Sequence, residues 1–185
     1  MTSSSAFPQA FYDQLTAQLA QAGWDRFGFD GPLALTFTCR LDDGFCAVVA
    51  VTGSASGRGG LPMLAEVGTG VGYEPATALM PRLTLPPSPH LVSTGEAPED
   101  STAHAPDEEL SSEQDLDRFR AHVVELARDH AVSLALPYAT PGGTEAALRA
   151  ELEDFPEAAA ETLPVFLAAT GRPGEALSLS TPVEN

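Results

Sequence analysis

Residues 51–60, VTGSASGRGG, follow an apolar run and combine the glycine, serine and arginine residues found in phosphate loops and nucleophile elbows. A Walker-type loop requires a lysine that reaches the terminal phosphates, and this chain contains no lysine. A nucleophile elbow requires serine at the centre of G-x-S-x-G, but here Ala55 lies between Gly53 and Gly57. We therefore interpret the segment as a loop between strands, in which Arg58 is the group that could contact an anion.

A second glycine array, Gly68, Gly70 and Gly72, has partial similarity to the dinucleotide-binding fingerprint G-x-G-x-x-G. The third glycine comes one residue too early for that fingerprint, and the helical stretch EPATALM that follows is too short. We interpret the array as a glycine-rich strand end that contains a bulge or a tight bend.

The histidines and cysteines lack the spacing of a metal site. His130 continues an apolar helical stripe, which predicts a partly buried side chain and not a ligand. If Arg40 pairs with Phe45 around a four-residue turn, Cys39 and Cys46 lie directly opposite each other, and we expect both thiols to act as small hydrophobic side chains. No catalytic, cofactor or metal residue is assigned, although a triad that meets only in space would leave no signal in the sequence.

The acidic tract, residues 96–117, contains nine carboxylates and no arginine. Carboxylates at its end would also complement the dipole of the helix that begins there. Two interpretations stand: a solvated linker with ordinary helix capping, or an anionic surface for a basic protein. On the second interpretation the candidate partner-binding residues are Glu108, Glu109, Glu113, Asp115 and Asp117.

Hydrophobic periodicity predicts the elements of the first half of the chain. Apolar residues spaced by four, four and three predict a helix over residues 8–22, which ends at Gly23. Two β-branched, apolar runs joined by LDDG predict a hairpin over residues 33–52. A third strand is predicted in MLAEVGTGVGY and a short helix in EPATALM, and one or two short strands are expected in RLTL and HLVST.

The second half of the chain is predicted to be helical. Ser112 and Asp115 resemble a capping box, and an apolar stripe follows them until the helix ends before Pro137. Further helices are expected over residues 144–154 and on both sides of Pro164, with a cap at Gly171.

The order of these elements predicts an α+β fold. We expect a small antiparallel sheet packed against the N-terminal helix and a C-terminal helical part. The predicted organisation is a helix and sheet over residues 1–94, an acidic linker over residues 95–111, and a helical part over residues 112–185 that packs on the same core to form a single domain.

Charge narrows the range of partners. The chain has 26 acidic and 9 basic residues, all nine of them arginine, for a net charge of −17. Such a charge repels nucleic acids and anionic membranes and attracts basic proteins. No apolar run approaches the roughly 18 residues that would span a bilayer, and the first residues lack the pattern of a secretory signal, so a cytoplasmic location is expected.

The chain resembles a known type of protein in three stretches: FYDQLTAQLAQAGW before the hairpin, VGYEPATALMPRLTL, and LPVFLAATGRPGEAL. The layout resembles small uncharacterised actinobacterial α+β proteins of the polymorphic-toxin immunity type. It is also similar in style to bacterial secretion chaperones. This resemblance implies a helix-then-sheet fold and a protein-binding role, and it carries no residue roles.

These observations predict a non-enzymatic, acidic protein-binding domain that neutralises or escorts a basic protein. The alternative is an enzyme or small-molecule-binding protein whose pocket lies between the sheet and the helices. No cofactor is expected on the first reading.

Overall fold

The computed structural model describes residues 7–28, 34–55, 61–94, 108–154 and 156–180. It has the predicted α+β fold, with an antiparallel sheet packed against an N-terminal helix and a C-terminal helical part. The strands are β1 (Asp25–Arg26), β2 (Ala34–Arg40), β3 (Phe45–Ala55), β4 (Met63–Tyr73), β5 (Val92–Ser93) and β6 (Glu108–Leu110). The helices are α1 (Gln9–Gln21), α2 (Glu74–Leu79), α3 (Glu113–Glu125), α4 (Val132–Ala135), α5 (Pro141–Asp154), α6 (Pro156–Ala169) and α7 (Pro173–Ser180).

Strands β1 to β4 lie in chain order, and both β5 and β6 pair with β4. The hairpin register differs by one residue from the predicted register, because Arg40 lies opposite Cys46 and not opposite Phe45. The turn needs only three residues, since Asp43 and Gly44 both adopt left-handed backbone conformations (φ 56° and 82°). Cys39 therefore pairs with Ala47, and the two cysteines lie on opposite faces of the sheet.

The two faces of the sheet have different neighbours. The core face packs against the helices, and its buried side chains include Leu35, Phe37, Val49, Val51 and Val71. The outer face carries the alternate residues, among them Thr38, Arg40, Cys46, Gly70 and Gly72. Hydrophobic burial on the core face is the main stabilising term of the fold. The outer face carries polar side chains that can form a site.

Helix α1 buries the stripe that its sequence predicts. Phe11, Leu15 and Leu19 are at most 3 % exposed and belong to the same core cluster as the hairpin. The ring of Phe11 stacks on that of Phe119 in α3, with 6.3 Å between their centroids. Gly23, with a φ of 86°, follows the helix and supplies its predicted end.

Helix α3 begins with the predicted capping box. The Ser112 hydroxyl accepts a hydrogen bond from the Asp115 amide at 3.2 Å, and the Asp115 carboxylate accepts from the Ser111 amide at 3.2 Å. The predicted stripe is buried, and Leu126–Ala131 then form a π-helical turn that leads into α4. His130 lies in this turn and is partly buried, as predicted.

The C-terminal helices pack onto the same core as the sheet. Leu148 of α5 and Phe166 of α6 belong to the cluster that includes Leu35 and Phe37. Helix α6 runs without interruption through Pro164, although two separate stretches were expected there. Gly171, with a φ of 85°, caps the end of α6 as predicted. None of the helices in the described segments is long and apolar enough to cross a bilayer.

Several elements differ from the sequence expectations. Strand β1 occurs in a stretch expected to be a connection, and β6 occupies three residues of the predicted linker, whose residues 95–107 lie outside the described part. Strand β3 continues to Ala55, paired with β4, and Gly53 lets the ring of Phe7 pack directly on the strand. Strand β4 keeps an unbroken ladder with β3, so the predicted bulge at its glycines is absent.

Candidate functional site

A cleft of about 590 Å³ opens on the outer face of the sheet. It lies between strands β1 to β3 on one side and α2 with the following proline segment, residues 86–89, on the other. The lining residues come from six separate parts of the chain and comprise Asp25, Phe27, Thr38, Arg40, Cys46, Glu74, Thr77, Ala78, Pro81, Pro87 and Pro89.

Strand register brings the floor of the cleft together. Asp25 lies opposite Thr38 in the β1–β2 pair, and Arg40 lies opposite Cys46, which in turn lies opposite Gly72. Side chains in such neighbouring pairs point to the same face of a sheet. Two adjacent rows of the outer face therefore present a carboxylate, a hydroxyl, a guanidinium and a thiol to one cavity.

Two glycines of β4 let the proline segment lie directly on the sheet. A Cβ added at Gly72 would come within 1.9 Å of the Pro89 carbonyl oxygen, and one added at Gly70 would come within 2.3 Å of the His90 ring. A Cβ added at Gly68 would meet no atom within 4 Å. The glycine array that resembles a nucleotide motif thus serves the close approach of another chain segment.

Ser88 connects the proline segment to α2 and also forms hydrogen bonds within the segment's own end, at His90. Its carbonyl accepts a hydrogen bond from the Thr77 hydroxyl at 2.9 Å, and its amide lies 3.3 Å from the Met80 sulfur. Its hydroxyl also bonds to the amide and the carbonyl of His90, both at 3.2 Å. The neighbouring prolines have fixed φ angles and no amide hydrogen to satisfy, so this wall of the cleft is held in one conformation.

The cleft contains more acidic than basic side chains. The Arg40 guanidinium donates to a single oxygen of Glu74, Oε1, from Nε at 3.2 Å and from Nη2 at 2.9 Å. Asp25 is exposed and has no ion-pair partner among the described residues. Two carboxylates and one guanidinium leave the cleft with a formal charge of −1.

The thiol of Cys46 has a raised pKa. Burial, and then the nearby Glu74 carboxylate, raise the pKa of Cys46 to about 11. At neutral pH the group is therefore a protonated thiol, which neither attacks carbonyls nor binds metals readily. Burial also raises the pKa of Cys39 on the other face.

His90 has partners that fix its ring at the edge of the proline segment. Its Nε2 lies 3.5 Å from the Ser93 hydroxyl, and burial lowers the pKa of His90, although a hydrogen bond to the Val92 backbone opposes this. Within the described ranges, no group of three or more histidine, cysteine or acidic side chains is placed to hold a metal ion.

The five candidate partner-binding carboxylates of the acidic tract fall into separate structural roles. The pKa of Asp115 is lowered first by the Ser112 hydroxyl and then by the Ser111 amide, and Asp115 also pairs with Arg118 at 2.7 Å. Asp117 pairs with Arg120 at 3.0 Å. Both side chains thus have arginine partners within α3.

The other three candidate carboxylates lie at the junction of β6 and α3. Glu108 and Glu109 are in β6, where Glu109 pairs with Leu64 on the outer face, and Glu113 starts α3. Glu109 and Glu113 are exposed, and in the described segments neither has an arginine partner. Glu66, also exposed, lies on the outer face two residues from Leu64. We call Glu66, Glu109 and Glu113 the acidic corner.

Leu64 gives this corner an apolar centre. Leu64 is 45 % exposed. Carboxylates thus flank an accessible hydrophobic side chain on the same face as the cleft.

Most of the cleft residues could not be recognised from the sequence, because only strand register brings them together. A usable signal was the alternation of Gly70 and Gly72, which places both on one face of a strand, followed by the segment PPSP. In the loop predicted over residues 51–60, the first five residues are strand, and Arg58 lies outside the described residues.

Comparison of the chain with family models, curated proteins and solved structures found no match.

Proposed function

We propose that the protein is a non-enzymatic binding domain that presents an acidic surface to a basic protein partner, in the manner of an immunity protein or a chaperone. The observation that carries the proposal is the acidic corner, where Glu66 and Glu109 flank the exposed Leu64 and Glu113 follows at the start of α3, three residues after β6. A mixed apolar and charged patch of this kind matches the anatomy of protein interfaces, which combine an apolar centre with a polar rim.

The use of arginine supports the proposal. Much of the positive charge of the chain is held in ion pairs with its own carboxylates, and the arginines involved are Arg40, Arg118, Arg120, Arg128, Arg149 and Arg172. Exposed pairs of this type contribute little to stability. Their main consequence is that these cations do not offset the acidic corner, so its field extends to an approaching basic protein.

Affinity capture from the native host with matched charge variants tests this proposal. The corner variant replaces Glu66, Glu109 and Glu113 by Gln and leaves Asp115 and Asp117, which cap and pair within α3, unchanged. The control replaces three other exposed carboxylates by their amides, which changes net charge equally: Asp13, Glu153 and Asp154.

We expect a basic protein that is retained by the wild type and by the control but is lost from the corner variant. Equal retention by all three proteins would contradict a role for the corner. Equal loss from both variants would mean that net charge alone, and not this surface, governs binding.

A second candidate function is small-molecule binding in the cleft. The cleft volume of about 590 Å³ lies within the range of roughly 300–1,000 Å³ that is typical of ligand sites. Its lining also mixes apolar walls with a few converging polar groups, as such sites do. The protonated thiol of Cys46 supports binding over nucleophilic catalysis there.

A further inference from the structure

We infer that the cleft binds an organic cation, a small molecule that carries an ammonium or guanidinium group on an apolar body. This inference rests on the second candidate function, ligand binding in the cleft, and names the class of the ligand. It is independent of the acidic corner and of any protein partner.

The charges of the cleft select a cation. Both hydrogen bonds from Arg40 end on Oε1 of Glu74, so Oε2 has no donor in the part of the chain that is described. The Asp25 carboxylate, on the opposite side of the floor, also has no ion-pair partner among the described residues. A ligand ammonium can bind between these two acceptors, whereas an anion would meet a cavity of formal charge −1.

The walls of the cleft select an apolar body. Pro81, Pro87, Pro89 and Ala78 form one wall, and Phe27 offers an aromatic ring on the other. The volume exceeds what a metal ion would fill, and the hydrogen bonds of Ser88 hold the proline wall in place before a ligand arrives.

Three probes of one shape test the charge requirement on the full chain: 2-phenylethylamine, the neutral 2-phenylethanol and the anionic 3-phenylpropionate. Binding is followed by the NMR shifts of the Thr38, Cys46 and Thr77 amides and by calorimetry. We expect saturable shifts at these amides, with the amine bound at least about tenfold more tightly than the alcohol and the carboxylate weakest.

Matched variants test the residues. Asp25→Asn combined with Glu74→Gln should weaken amine binding by about tenfold and leave the alcohol unaffected. Glu66→Gln is the control, because Glu66 lies on the same face of β4 six residues from Gly72, about 20 Å away. Ala78→Phe should fill the cleft and abolish binding of every probe, with thermal unfolding used to verify that each variant is folded.

The outcomes separate this inference from the function on which it rests. Equal affinity for amine and alcohol, unchanged in the Asp25 and Glu74 variant, would overturn the cation assignment and leave ligand binding intact. No saturable shift with any probe would overturn both. Tighter binding of a capped Gly-Arg-Gly peptide than of the amine would assign the cation to a protein side chain and overturn the small-molecule inference.

Discussion

At the scale of single residues, the shape of the cleft depends on side chains that are missing. Gly70 and Gly72 leave room for the His90 ring and the Pro89 carbonyl, which lie where a Cβ would otherwise be. The same strand carries Gly68 on the same face with open space above it. This difference makes the role of each glycine separable by experiment.

Gly72→Ala should destabilise the protein by about 1–3 kcal/mol, because the new methyl group forces the proline segment off the sheet. Gly68→Ala should be neutral or stabilising by up to about 1 kcal/mol, since the methyl group fits and the unfolded chain loses entropy. Denaturant unfolding of the two variants measures both effects. Equal stability of the two would show that the segment does not rest on Gly72.

The protonated thiol of Cys46 predicts a loss of stability at high pH. Its folded pKa of about 11 lies above its ordinary value of 9.0, so the folded state retains a proton that the unfolded state has released. Stability is therefore unaffected below about pH 9 and falls between pH 9 and 11, by at most about 1.4 kcal/mol per pH unit.

Unfolding of the wild type and of Cys46→Ala between pH 7 and 11 checks this expectation. The variant lacks the thiol, so its alkaline loss of stability should be smaller. Parallel curves for the two proteins would show that Cys46 ionises normally in the folded state.

At the scale of elements, periodicity was a reliable guide where one face is buried. The spacing of Phe11, Leu15 and Leu19 predicted α1 to within one residue at each end, because these side chains must all meet the core. β-branched, apolar runs located the central strands, and the capping box located the start of α3. Periodicity could not reveal β1 or β6, since two or three residues contain less than one full repeat.

Leu15→Ala should lower the free energy of unfolding by about 2–5 kcal/mol, because the Leu15 side chain of α1 is fully buried in the core. Gln18→Ala in the same helix is the control, since Gln18 is exposed and its replacement should change stability by less than about 0.5 kcal/mol. Urea unfolding of both variants gives the comparison. A cost for Leu15→Ala no larger than that of the control would contradict the packing of α1.

The register of the hairpin shows a limit of the sequence argument. The turn chemistry of LDDG was recognised, but a three-residue turn and a four-residue turn differ by one position, and that position decides which residues share a face. Because Arg40 lies opposite Cys46, the thiol joins the cleft rather than pairing with Cys39. The composition of the candidate site therefore could not be derived without the strand pairing.

At the scale of the whole molecule, two candidate sites share the outer face of one sheet. The cleft lies at the end of β4 that leads into α2, and the acidic corner lies at the other end, beside β6. The sequence predicted the α+β fold and an acidic surface, and Glu109 and Glu113 were among its candidate partner-binding residues. It could not predict that Asp115 and Asp117 are engaged within α3, since arginines three residues further along the helix partner them.

The proposed partner surface makes a kinetic prediction. Carboxylates that face solvent without cations should raise the association rate of a basic protein through long-range attraction, and salt should screen this effect. Neutralising the three carboxylates of the acidic corner should therefore slow association at low salt and make its dependence on salt shallower.

The most direct test measures the association rate of the captured partner from low to high salt with the wild type, the corner variant and the control of equal charge. We expect the corner variant to associate more slowly, with a shallower salt dependence, while the control stays close to the wild type. Identical rates and identical slopes for the corner variant and the wild type would contradict the proposed function.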